Sequence, residues 1–444
     1  MGAPSTVSVR PAAAVSSASV SDAYRRYALF MMTLVATLNF VDRQLMSILL
    51  EPIKAEFGLS DTQLGFLTGF AFAIFYAIMG FVLAKIADTG NRRTLIAIVI
   101  VLWSVMTALC GAAVGFVTLL LARIGVGIGE SGSAPAVQSM LADYYPPAKR
   151  ASAISTQTIG VYAGILLGFL FGGWISEAFG WRTAFVVIGL PGVLFAALFW
   201  LTVKEPVRGQ IENVVDSGRT PTFRETFRYL WSSPSFRLVP FAAGLYAFAA
   251  QGSMAWAPSF FIRSHGMTTA EIGMWLALSA GLAGGLGCFL GGVLTERIVN
   301  RTRDERWYFW FPGGCLLASV PALFVIYLSA TPLPALLMSA AAWFLGNVWL
   351  GPVQATLQGL AALRMRAMAL AVLLFVNNLI GLGLGPQVVG ILSDVLHEQF
   401  GVDSLRYALL GSLSVASLLA ALLFFAATRT LRDDLRRTRE RQSG

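Results

Sequence analysis

Twelve apolar segments run through the chain at 27–50, 62–86, 94–116, 118–143, 152–178, 183–203, 237–262, 271–296, 307–330, 333–360, 367–394 and 405–428. Each is long enough to cross a bilayer, which takes roughly 20 residues as a helix. Hydrocarbon offers no partner to a bare backbone N–H or C=O, so each segment reads as a membrane-spanning helix. Composition agrees, with 56% hydrophobic and 12% charged residues and a mean hydropathy of +0.70. A soluble domain carries about 25% charged residues to coat its surface. The three cysteines, Cys110, Cys288 and Cys315, lie far apart inside apolar runs, and both histidines, His265 and His397, lie in loops. Neither a disulfide framework, a metal site nor a cofactor is expected from that pattern.

The net charge of +9 suggests nucleic acid until the charges are assigned to sides. The longest polar stretch, 204–236, divides the spans six and six. With both termini on one side, 26 of the 32 lysines and arginines fall on that side. Four fall opposite, Lys54, Arg182, Arg263 and Arg406, and two, Arg43 and Arg123, lie inside spans. Positive charge stays cytoplasmic, so both termini are placed in the cytoplasm, and nucleic acid is excluded as a partner. The chain then divides into a cytoplasmic tail 1–26, a six-helix bundle 27–203, a cytoplasmic linker 204–236, a second bundle 237–428 and a cytoplasmic tail 429–444. The first stretch lacks the compact apolar core of a signal peptide.

The halves repeat. A shift of 208 carries Gly65 onto Gly273, Asp88 onto Glu296 and Arg93 onto Arg301. A shift of 217 carries Gly164, Gly168, Gly173, Ser176 and Glu177 onto Gly381, Gly385, Gly390, Ser393 and Asp394. The expected fold is therefore all-α, twelve transmembrane helices in two bundles related by a parallel repeat. Such folds bind substrate at mid-membrane between the halves and alternate access by rocking.

Ionisable residues within spans are costly and point to function. Here they are Asp42, Arg43, Arg123 and Glu130. Asp42 and Arg123 lie roughly 12 and 8 Å from the same membrane face and could pair. Glu130, two turns along the same helix face from Arg123, comes within reach of Arg43. The four sum to zero charge. A carboxylate that takes up a proton frees its arginine for an anion, so Asp42 and Glu130 are the candidate proton sites, and Arg43 and Arg123 the anion ligands. The second half offers amides and aromatics instead, among them Tyr246, Trp256, Asn347, Gln354 and Asn377. A charged half facing a polar-aromatic half suits an amphipathic anion, although each amide read alone is an interhelical hydrogen bond. The run Asp88 to Arg93 ends the second helix as a capped turn or as a cytoplasmic latch built on Asp88, Arg92 and Arg93.

These residues resemble the Spinster family of lipid transporters within the major facilitator superfamily. Leu38-Asn39-Phe40-Val41-Asp42-Arg43 is similar to that family's first-helix signature, and Arg123 to Glu130 with glycines at 125, 127 and 129 is similar to its fourth-helix pattern. Lys204-Glu205-Pro206 resembles the run after the sixth helix. Thr89 and Ala84 depart from the superfamily latch, and the likeness weakens in the second half. The resemblance implies proton-linked movement of a sphingosine-phosphate-like lipid or lysophospholipid by a monomer, with Asn39 beside the four charged residues in the site. A proton symporter of small organic or aromatic acids would use the same four charges. No nucleophile adjoins a base, so an enzyme is not expected.

Overall fold

The computed structural model describes residues 21–208, 223–361 and 365–443. The first part of the expected tail with Arg10, the middle of the linker, and Arg364 lie outside the described residues. Twelve helical passes are traced, named α1 (Asp22–Ile48 with Leu50–Phe57), α2 (Asp61–Thr89), α3 (Arg92–Cys110), α4 (Phe116–Ser131 with Ser133–Tyr144), α5 (Pro147–Phe179) and α6 (Trp181–Thr202) in the first bundle. The second bundle holds α7 (Pro234–His265), α8 (Thr269–Thr302), α9 (Trp307–Leu328), α10 (Pro332–Gly359), α11 (Arg366–Val376 through Gly385–Phe400) and α12 (Ser404–Ser443). Among the described residues nine helical stretches are long and apolar enough to cross a membrane, one of them holding both α11 and α12. The passes left over are α1 and α4, the two that carry Asp42, Arg43, Arg123 and Glu130.

Apolar windows mark where helices cross hydrocarbon, not where they stop. A short helix, Phe223–Trp231, occupies part of the stretch read as linker, α1 starts at Asp22, and α12 continues through the stretch read as a tail. Asp304, in the turn before α9, pairs with Arg306 at 2.8 Å and with Arg432 of the α12 extension at 2.8 Å. The Arg306 hydrogen bonds, with help from Arg432, hold the Asp304 carboxyl down at about 2. A depressed folded-state pKa stabilises at neutral pH and loses its contribution as the pH falls toward about 2. Asp304→Asn should therefore release the α12 extension at neutral pH, read as faster tryptic cleavage after Arg432 than in the wild type.

The repeat is visible atom by atom where α2 and α8 begin. Gly58 and Gly266, related by the shift of 208, both adopt a left-handed backbone, φ 63° and 66°. A side chain there costs about 1 kcal/mol or more. Ser60 and Thr268 then cap their helices reciprocally with Gln63 and Glu271. The first turns dock on the opposite bundle through the second set of repeated positions. Glu177 Oε2 accepts from the Ala270 N–H at 2.9 Å, while Asp394 accepts from the Asp61 and Thr62 N–H groups at 3.1 and 2.7 Å. Gly173 and Gly390 are the contact points. A Cβ at either would stand 2.3 Å from a backbone oxygen, of Thr269 and of Asp61 respectively.

These contacts close one end of the molecule, the far end, away from the described chain ends. A single apolar core there spans both bundles, from Leu45 and Phe169 to Phe260 and Leu409. At the near end the apolar residues separate into two cores, one around Trp103 of the first bundle, reached from the second only by Leu382 of α11, and one around Phe236 within the second. Alternating-access proteins show this asymmetry when one gate is shut. Gly164 and Gly168 of α5 lie within one bundle, against the α1 backbone at Thr37 and Val41. The packing role of those two glycines is direct.

Candidate functional site

Asn39, Asp42 and Arg43 ride one stretch of α1; Arg123 and Glu130 sit on α4. Glycines thin α4 on its α3 side, where a Cβ at Gly129 would stand 2.8 Å from the Trp103 backbone nitrogen. That close approach holds α4, with Arg123 and Glu130, against α3, and Glu130 then reaches α1 at Arg43. Arg43 Nε donates to Glu130 Oε2 at 2.6 Å, as depth alone had suggested. The Glu130 side chain is fully buried and Arg43 nearly so, at 0% and 15% exposure. Three aromatic rings surround the Arg43 guanidinium: Tyr76 at 4.9 Å, Phe40 at 5.1 Å and Phe72 at 5.2 Å. Such cation–π contacts strengthen where water is excluded.

Asp42 and Arg123 do not pair. Asp42 Oδ2 instead accepts from the Thr107 hydroxyl of α3 at 3.3 Å. Arg123 lies over the same Phe72 ring at 5.1 Å. Similar depth was not enough; a ring stands where an ion pair was expected. Arg123 Nε is buried without a hydrogen-bond partner, and Asn39 Nδ2 and Glu130 Oε1, whose side chains lie within reach of each other, make no hydrogen bond of good geometry. Buried polar atoms are satisfied nearly everywhere in proteins, so poorly satisfied ones clustered around two arginines mark a place built to hold a polar group.

The second half contributes differently from residue to residue. Asn347 Oδ1 accepts from the Tyr162 hydroxyl of α5 at 3.0 Å, a bond between the bundles. Tyr246 stands edge-on to Trp349 at 5.7 Å and forms one wall of a cavity inside the second bundle. That cavity is lined mainly by Ala249, Ala257, Phe261, Leu323 and Ile326. Asn377 opens a π-helical turn in α11 and keeps a buried, unpartnered Oδ1. Gln354 is half-buried on α10. Trp256 is wholly buried and donates Nε1 to the Pro386 carbonyl at 2.8 Å, so it clamps α7 to α11.

The latch residues also separate. The Asp88 side chain is exposed, and its main-chain carbonyl is held by Arg208 together with those of Ala87 and Gly90. Arg92 is the buried hub, paired with Glu205 at 2.7 Å and with Asp143. The Arg93 N–H donates to Glu205 at 2.8 Å while its guanidinium lies over Trp200 at 5.3 Å. Asn91 caps α3 through the Thr94 N–H at 2.9 Å. This cluster fastens the start of the linker to the first bundle.

Twelve passes, two repeated bundles and a charge pair buried inside the first of them describe a carrier. A family model described as the Major Facilitator Superfamily matches residues 32–386. The chain belongs to the major facilitator superfamily. Within that superfamily it is similar to a bacterial homolog to the human lysosomal transporter Spinster, whose crystal structure is inward-facing and unoccupied. The TM-score is 0.82 at 33% identity, covering 94% of this chain and 99% of that one. An MFS-type efflux pump of Mycolicibacterium smegmatis is 34% identical, covering 91% of this chain and 92% of that protein. A hexuronate transporter of Bacillus subtilis is 25% identical, covering 88% and 92%. The chain is an integral multi-pass membrane transporter of the superfamily, similar to Spinster, and not an enzyme.

Charged groups at the far end were visible in sequence only as exceptions to the positive-inside count. Arg263 of α7 bridges to Glu51 of α1 at 2.8 Å and to Asp61 of α2 at 2.6 Å. Asp61 also takes Lys54 at 2.5 Å and the Ser393 hydroxyl at 2.7 Å. The pseudo-equivalent side, α5 against α8, has Gly173 and Gly273 in contact and, among the described residues, no matching ion pair. The far end is thus locked by ions on one side and by glycine packing on the other.

Proposed function

We propose that this transporter moves an amphipathic anion, a lysophospholipid or a sphingosine-phosphate-like lipid, by proton-coupled alternating access across a bacterial inner membrane, with both termini cytoplasmic. In that orientation the closed far end makes this state inward-facing. The observation that carries the reading is the Arg43–Glu130 pair, buried in an aromatic cage with Asn39 and the unpartnered Nε of Arg123 beside it. An ion pair removed from water seldom stabilises more than apolar packing would, so its place in the bundle calls for a use. Protonation of Glu130 or Asp42 releases Arg43 or Arg123 to an anionic head. The apolar cavity behind Tyr246 suits the tail. The halves then rock, and the ionic lock at the far end opens.

Proteoliposome uptake with an imposed pH gradient tests this. Asp42→Asn and Glu130→Gln should each remove the pH dependence and slow transport by on the order of 10- to 100-fold, the worth of one charge-assisted interaction. Wild-type rates with unchanged pH dependence in both variants would remove these carboxylates from the mechanism. The hexuronate transporter among the relatives favours a second reading, a proton symporter of small organic acids. Competition separates the two: a lysolipid blocks transport in the first case, a benzoate-like acid in the second.

A further inference from the structure

The helix between the bundles, Phe223–Trp231, reads Phe-Arg-Glu-Thr-Phe-Arg-Tyr-Leu-Trp and sorts its residues by face. Thr226 and Leu230 are buried, Leu230 within the core of the second bundle. Arg224, Phe227, Arg228 and Trp231 are exposed. Phe227 and Trp231 stack at 5.1 Å with planes 18° apart, and Trp231 meets Phe241 of α7 edge-on at 6.5 Å. Phe241 is itself exposed on a membrane-crossing helix, so a row of rings passes from the linker helix onto the lipid-facing surface. Arg237 Nε donates to the Trp231 carbonyl at 2.6 Å, which ends the helix and holds a third arginine there. Glu225 is the one acid among these residues.

Stacked rings exposed beside arginines at the mouth of a membrane helix have a specific chemistry. Tryptophan and phenylalanine gain by sitting at the boundary between headgroups and acyl chains, and arginine at that depth reaches lipid phosphates. The buried face fixes the helix on the second bundle, so its outer face cannot turn away. We propose that the linker helix is an interfacial anchor that docks on an anionic phospholipid surface at the near end, with Phe227 and Trp231 at the acyl boundary and Arg224 and Arg228 on lipid phosphates. Opposite charge, and continuity of the rings with the lipid-facing side of α7, select that occupant.

The test needs no transport substrate and stands apart from the proposed function. The full chain is placed in nanodiscs of phosphatidylcholine alone, or of phosphatidylcholine with an equal part of phosphatidylglycerol, and hydrogen exchange of residues 223–231 is followed. Wild-type exchange should be slower in the anionic discs by on the order of 10-fold, the effect of two arginines near a charged surface. Arg224→Gln/Arg228→Gln should erase that difference and leave exchange in neutral discs unchanged. Phe227→Ser/Trp231→Ser should speed exchange in both lipids. Equal wild-type exchange in the two lipids, lipid dependence that survives in the arginine variant, or wild-type protection in the aromatic variant each overturns the proposal.

Discussion

Arg43→Gln is expected to cost the protein both stability and transport, and the double variant Arg43→Gln/Glu130→Gln separates the two losses. Glu130 is fully buried and its Oε2 is held by Arg43 Nε at 2.6 Å, while its Oε1 makes no hydrogen bond of good geometry. Removing the arginine leaves a carboxylate alone in a low dielectric, a change that costs roughly 3–5 kcal/mol when the partner stays charged. The double variant removes both charges and leaves two amides of similar shape that can bond each other, so most of that stability should return. Transport should not return. If Arg43 is the ligand of an anionic head, the double variant loses a charge-assisted contact worth about 1.5–3 kcal/mol and stays about 10- to 100-fold slow. Thermal unfolding in detergent and proteoliposome flux, measured on the same three proteins, give both quantities. A double variant that is stable and transports at the wild-type rate would reduce the pair to a structural tie between α1 and α4.

The Arg43–Glu130 contact was legible because spans hold so few charges that four of them can be sorted by depth and helix face. What depth could not supply is which neighbour intervenes. Phe72 and Tyr76 lie on α2, among many aromatics of a membrane helix, and nothing in their spacing distinguishes a cage from lipid-facing rings. Phe72 takes Arg123 in a cation–π contact, Thr107 takes Asp42, and Tyr76 joins the cage around Arg43. The far-end lock was closer to legible. The positive-inside count leaves four cations on the wrong side, and each proves to have a carboxylate: Lys54 with Asp61, Arg182 with Glu56, Arg263 with Glu51 and Asp61, and Arg406 with Asp403. A cation kept where topology disfavours it needs a partner, and asking for that partner points to the gate. The repeat was also more informative than its glycines alone. Gly58 with Gly266 and Ser60 with Thr268 share the shift of 208, and each pair has a backbone reason to recur.

Opening of the far end is the second large effect, and two substitutions should produce it by different physics. Arg263→Gln removes attraction. It leaves the Asp61 carboxylate, 3% exposed, with Lys54 and Ser393 as its side-chain partners and leaves Glu51 without its arginine. A charged group deprived of its hydrogen-bonded partner costs about 1–3 kcal/mol or more in the closed state. That is a shift of about 10- to 100-fold toward a state in which water reaches those carboxylates. Gly173→Ala adds repulsion. Its methyl would stand 2.3 Å from the Thr269 backbone oxygen, which belongs to the other bundle, so relief comes only by parting α5 from α8. Spin labels across the far ends of α5 and α8, read by double electron–electron resonance, should show a longer distance in both variants. The partners of the wild-type lock are only 3–32% exposed, so salt should shrink the ionic effect only in part, whereas the steric effect should not change. Closed distances in both variants would mean that the single core spanning the bundles, rather than the ions and the glycine contact, holds the gate. Because Arg263, the far-end cation that bridges the bundles among the described residues, lies on the α1–α2–α7–α11 side, Arg263→Gln should widen that side first, and labels on α2 and α11 should separate before labels on α5 and α8.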